Sequence, residues 1–125
     1  MQVKIDTKEK FHVITIQERS LTANMTAEIE GSLSTYLQNV VNNVILNLGQ
    51  VTEMDLTTAE SIIKVQQTYY EQSASFVICE LQKSVEDFLD QNELLEMMNV
   101  TPTQSEAWDI VQMEEIEREL LGDED

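Results

Sequence analysis

Four polar side chains crowd the run Asp55-Leu56-Thr57-Thr58-Ala59-Glu60. Two hydroxyls beside a carboxylate at a strand-to-helix junction can receive a phosphoryl group. First-turn N–H groups lack intrahelical acceptors there, and the helix dipole presents its positive end. Thr57 and Thr58 are the candidate acceptors. A purely structural role is also open to Thr57: followed three residues later by Glu60, it fits a capping box. A phosphate at this point would stand beside Asp55 and Glu60, so it would act mainly by disrupting an interface that tolerates a neutral hydroxyl.

No other residues assemble a reaction centre. His12 is the only histidine, and strand alternation against Phe11 and Val13 places it on a solvent-facing side. Cys79 is the only cysteine; within Phe76-Val77-Ile78-Cys79 it reads as a small buried hydrophobe. One Cys and one His exclude a Cys/His metal site and make a Cys/His nucleophile pair implausible. The carboxylates match no calcium-loop spacing. The glycines, Gly31, Gly49 and Gly122, are too far apart for a phosphate-binding loop. No enzyme activity, metal or cofactor is expected. Of the methionines, Met97 and Met98 are expected to fill the core near the last strand and Met54 to pack under the loop.

The elements that position the junction follow from periodicity. Val3 and Ile5, then Phe11, Val13 and Ile16, alternate with polar residues around a polar break, as in an antiparallel hairpin. Asn24 or Thr26 offers a cap for a first helix along Ile29, Leu33, Tyr36, Leu37, Val40 and Val41. Val44–Leu48 is an apolar run, interrupted only by Asn47, of the kind buried on both faces of a sheet. Gln50–Asp55 is a loop, and a second helix follows along Ala59, Ile62, Ile63, Tyr69 and Tyr70. Ser75–Cys79 is a strand, and Ser84 with Asp87 opens a short helix carrying Val85, Phe88 and Leu89. Met97–Thr101 is an edge strand ended by Pro102, and Thr103 with Glu106 caps a last helix. The order β-β-α-β-α-β-α-β-α predicts an α/β fold with a mixed, mostly parallel sheet of 4–5 strands and about four helices.

The 125 residues fit one domain, and 42% hydrophobic content supplies a core. No apolar run approaches the about 20 residues of a membrane span, and no signal peptide is visible. The lone cysteine points to a cytoplasmic location. Twenty-four acids against seven bases give a net charge of −17, which repels nucleic acids and anionic lipid. The acids concentrate from about residue 113 into a C-terminal helix extension and tail, Glu114 to Asp125. This is read as a solvated face with a frayed end, or as a docking strip for a basic partner.

In element order, in VILNLGQVTEMDLTTAESII (44–63) and in FVICELQKSVEDFLDQNELLEMMNVTPTQSEAW (76–108), the chain resembles the STAS domain, the anti-sigma factor antagonist fold. Asn47-Leu48 and Asp55-Leu56-Thr57-Thr58 stand where that family has V-L-D/N-L and D-S-S-G. Val85-Glu86-Asp87-Phe88-Leu89 is similar to its Val-Arg/Lys-x-x-Phe/Leu pattern. Leu56 replaces the first Ser, and Thr58 replaces the Gly, which removes backbone freedom and adds a hydroxyl. The resemblance implies a non-catalytic regulator that binds a kinase-like anti-sigma factor and is released by phosphorylation at Thr57, with Thr58 as second choice. The implied contact surface is the loop 52–58, including Asp55, Leu56, Thr57 and Thr58, plus Glu60, Ser61, Lys64 and Gln67 on the helix. A non-switching scaffold, or an accessory subunit of a transport ATPase or stress-sensing complex, is the alternative. Small-molecule binding at the same helix start is a third reading, favoured by the dipole and opposed by the charge.

Overall fold

The alternating residues at the start of the chain pair into the expected hairpin: β1 (Val3–Thr7) runs antiparallel to β2 (His12–Ile16). In this computed structural model, which describes residues 1–122, β4 (Val44–Asn47) lies parallel between β2 and β6 (Phe76–Cys79). A two-residue edge strand, β7 (Val100–Thr101), completes the five-stranded order β1-β2-β4-β6-β7. Both faces of β4 and β6 are covered, so their sequences run apolar without alternation.

Helices α1 (Thr26–Ser34), α2 (Leu56–Glu71) and α3 (Lys83–Gln91) cover one face, and α4 (Gln104–Gly122) covers the other. The larger core joins Ile14, Ile16, Leu46, Phe76 and Ile78 to Leu33, Ile62, Tyr69 and Leu89. Each fully buried aliphatic side chain contributes roughly 1.5–3 kcal/mol, so these contacts fix α2 on the sheet. Tyr69 packs its ring 5.0 Å from that of Phe76 and donates its hydroxyl to the Leu33 carbonyl. On the other face Val13, Ile45, Val77 and Cys79 meet Ala107 and Val111 of α4. Cys79 is buried as expected, and burial pushes its thiol up to about 12.

Several expectations are corrected. His12 is buried, not solvent-facing: it shares the face of Ile14 and Ile16, and the segment after α1 closes over it. Its Nε2 donates to the Val41 carbonyl (2.8 Å), its Nδ1 lies 2.9 Å from Thr7 Oγ1, and its ring lies 4.6 Å from that of Tyr36. Alternation located the face but not the cover. The first helix stops at Ser34 and tightens into a 3₁₀ turn over Thr35–Gln38, leaving Val40 fully exposed. Neither Asn24 nor Thr26 caps it; Ala23–Met25 is a 3₁₀ turn, and Thr26 donates its hydroxyl to the Ala23 carbonyl. The last strand is shorter than expected, because Leu95–Met97 turns as 3₁₀; Met98 is buried while Met97 faces outward. Ser84 does not cap α3, whose N-cap is Gln82. Thr103 does cap α4, accepting from the Glu106 amide at 3.2 Å. The terminal acids Asp123, Glu124 and Asp125 lie outside the described residues.

Candidate functional site

The junction between β4 and α2 is pinned before it reaches the hydroxyls. Asn47, at the end of β4, accepts the Gly49 amide on Oδ1 (2.8 Å) and donates from Nδ2 to Gln104 Oε1 (3.0 Å). A Cβ at Gly49 would stand 3.0 Å from Asn47 Oδ1 and 3.4 Å from Glu80 Cβ, so the turn favours a residue without a side chain. Gln82 Nε2 donates to the Gly49 carbonyl (2.6 Å), and Ser84 Oγ to that of Thr52 (2.8 Å), tying the start of α3 to the same loop. Residues Glu53–Met54 form a short strand, β5, parallel to β3 (Ser20–Leu21). Strand β5 thus lies within the stretch 50–55 expected to be loop. Met54 and Leu21 are buried beneath it, Met54 as expected.

Asp55 then begins the helix. Its backbone is extended (φ −92°, ψ 169°), its Oδ1 accepts the Thr58 amide at 2.9 Å, and its Oδ2 accepts the Ala23 amide at 2.7 Å. The nearby Thr58 hydroxyl and then the Thr58 amide hold this carboxyl below its ordinary range; burial opposes them, and the Ala23 amide adds a smaller pull in the same downward direction. Thr58 Oγ1 itself is buried with no partner in hydrogen-bonding geometry, so its effect on the carboxyl is that of a nearby hydroxyl and not of a well-formed bond. Asp55 is therefore the N-cap. The expected capping box of Thr57 and Glu60 does not form; Asp55 takes the cap because its second oxygen also anchors Ala23.

This frame separates the two hydroxyls. Thr57, at the second position of α2, is exposed; Thr58, at the third, is fully buried. Leu56 is an exposed apolar side chain (45%) directly beside Thr57. Glu60, Lys64 and Gln67 continue the exposed surface along α2. Ser61, expected on that surface, is buried instead and donates to Glu30 Oε1 (2.8 Å), linking α2 to α1. The site that the structure brings together is thus Asp55, Leu56, Thr57, Glu60, Lys64 and Gln67, with Thr58 and Ser61 beneath it. Ala23 joins this site through Asp55, a contact across 32 positions that no local pattern announces.

Among the described residues no group of three His, Cys, Asp or Glu side chains is placed to hold a metal, and no helix is long and apolar enough to cross a membrane. A cavity of about 490 Å³ lies away from Thr57, between the hairpin turn and α4, lined by Lys8, Lys10, Phe11, Gln104 and Trp108.

The chain that folds in this way has a counterpart in a known family: the STAS domain model matches residues 2–107. The chain belongs to the STAS domain family. No curated protein sequence matches this STAS chain significantly. Its fold is shared with an anti-sigma-factor antagonist (STAS) domain protein from Planctomyces limnophilus (16% identity, 88% of this chain and 97% of that one, TM-score 0.73). It is also shared with the anti-sigma factor antagonist SpoIIAA in its unphosphorylated form (15%, 89% and 98%, TM-score 0.64). The phosphorylated form of SpoIIAA, a Bacillus cell fate determinant, matches at TM-score 0.63. A serine-to-glutamate variant of RsbS from Moorella thermoacetica matches over 90% of this chain and 96% of its own, at 15% identity and TM-score 0.72. The expected STAS fold, with its five-stranded mixed sheet and four α-helices, is the observed one.

Proposed function

We propose that this STAS domain is a cytoplasmic, non-catalytic signalling antagonist that docks through the start of α2 on a kinase-like anti-sigma factor, with Thr57 as the residue that switches it. The exposure of Thr57 at a rigidly capped helix start, against the burial of Thr58, carries this reading. Leu56 supplies an apolar anchor at the same point, and Glu60 and Lys64 a charged rim. SpoIIAA, which shares the fold, is known in a phosphorylated form.

In the proposed step Thr57 Oγ1 attacks the γ-phosphorus of ATP, the bond to the β-phosphate oxygen breaks, ADP leaves, and the hydroxyl proton passes to the kinase or solvent. The added phosphate gains about 0.3–1 kcal/mol from the helix dipole. Asp55 precedes it by two residues and Glu60 lies one turn further along the same helix side, and both repel it. The phosphate therefore fits the free domain poorly and an apolar contact at Leu56 worse, so modification ends docking.

Incubation with ATP and a kinase-like anti-sigma factor, read by intact mass, tests this. A gain of one phosphate that disappears in Thr57→Ala and persists in Thr58→Val supports it. No gain, with Thr57→Glu binding every partner that the unaltered chain binds, excludes the switch and leaves the non-switching scaffold.

A further inference from the structure

Helix α4 carries a second apolar face, opposite the one that it buries. At about 100° per residue, Ala107 and Val111 define the inner face, and Met113, Ile116 and Leu120 fall on the outer one. These three side chains are 56%, 56% and 65% exposed. Their spacing of three and then four residues is the a-d-a spacing of a coiled-coil seam. They lie beyond residue 107, where the match to the family model ends, so the shared STAS pattern does not account for them.

The acids around the stripe divide into two groups. Glu114 accepts from the Tyr70 hydroxyl (2.8 Å), and Glu115 accepts from Asn43 Nδ2 (3.3 Å) and lies 3.7 Å from Arg118; these hold α4 to the body. Arg118 adds bonds to Asn43 Oδ1 (3.2 Å) and Ser75 Oγ (3.0 Å). Glu117 and Glu119 are exposed and, among the described residues, make no such contact. With Met113 at a, they occupy the e and g positions that flank the seam and select a partner by charge.

We propose that the outer face of α4 binds an amphipathic helix of another protein that presents aliphatic residues at its seam and Lys or Arg at its flanks. A second copy of this chain is disfavoured, because an antiparallel pairing would set Glu117 and Glu119 against their own counterparts, and in any orientation each copy carries a charge of −17. A basic helix gains from that field at encounter and from ion pairs at the flanks once docked. The stripe covers under two heptads, so the contact is a short, salt-sensitive one. Because α4 lies across the sheet from α2, it is independent of the site at Thr57.

The test uses the full chain and three synthetic helical peptides of about three heptads. One has Leu/Ile at the seam and Lys at the flanks, one the same seam with Glu flanks, and one Lys flanks with Ser at the seam. Binding is read by titration calorimetry, and by the fluorescence of Trp108, the only tryptophan. The first peptide binds, the other two do not, and Ile116→Gln with Leu120→Gln raises its Kd about tenfold or more. Gln keeps helix propensity, and the exposure of both sites leaves the melting temperature unchanged. A charge-reversed variant, Glu117→Lys with Glu119→Lys, prefers the Glu-flanked peptide. Equal binding of the Ser-seam peptide, or undiminished binding by the Gln variant, overturns the proposal. So does sedimentation of the chain as a dimer that the Gln variant dissociates.

Discussion

Thr58→Val offers the sharpest check on the geometry of the α2 start. Thr58 is fully buried, and its hydroxyl oxygen has no hydrogen-bond partner. A buried hydroxyl left unpaired costs roughly 1–3 kcal/mol in proteins. Val has nearly the same shape and the same β-branching, so helix propensity and rotamer preference change little. The amide bond from Thr58 to Asp55 Oδ1 is a backbone bond and survives the substitution. Against the gain stands the lost dipole of the hydroxyl near the Asp55 carboxylate, which places the expected net effect at the low end, about 1 kcal/mol of added stability. For a domain of this size that corresponds to a rise of about 4 °C in melting temperature. Urea denaturation at pH 7 should show a higher midpoint with an unchanged slope, and the Asp55 carboxyl, followed by NMR, should move up toward its ordinary value. A lower midpoint would refute the reasoning, because it would mean that the hydroxyl makes a bond in solution that the structure does not contain. A changed slope would mean that the substitution alters the denatured state instead.

Asp55 has a folded pKa below its unfolded one, so its contribution to stability is present above the unfolded value of 3.8 and is lost as pH falls through the folded value. Asp55→Asn should remove that part of the acid-side loss in a pH series of thermal melts. Cys79 has its pKa raised to about 12, so its stabilising effect holds below the ordinary 9.0 and is lost as pH climbs through the folded value. At pH 8 the native thiol should resist an aromatic disulfide reagent that labels the urea-unfolded chain at once. Tyr69→Phe should cost about 1–2 kcal/mol in urea denaturation, since it leaves the buried Leu33 carbonyl without its donor.

Element order and fold class are readable from residue patterns alone. Apolar runs at Val44–Leu48 and Phe76–Cys79 mark buried parallel strands, and the stripe through Ala59, Ile62 and Tyr69 marks a helix that faces them, because burial on a sheet imposes a period that local residues display. The hydroxyl-bearing start of α2 was legible for the same reason: helix starts select side chains that accept or donate at the backbone. The remaining features depend on segments remote in sequence. His12 is buried because the chain after α1 crosses it, and Ser61 because Glu30 of α1 reaches it. The cap passed to Asp55 because Ala23, 32 positions earlier, needed the same carboxylate. Strands of two residues, β3 and β5, are too short to show alternation and exist only because each supplies the other's hydrogen bonds. The choice between Thr57 and Thr58 rests on the same ground: adjacent hydroxyls look alike in sequence, and only the packing of α2 against its neighbours turns one outward and closes the other in.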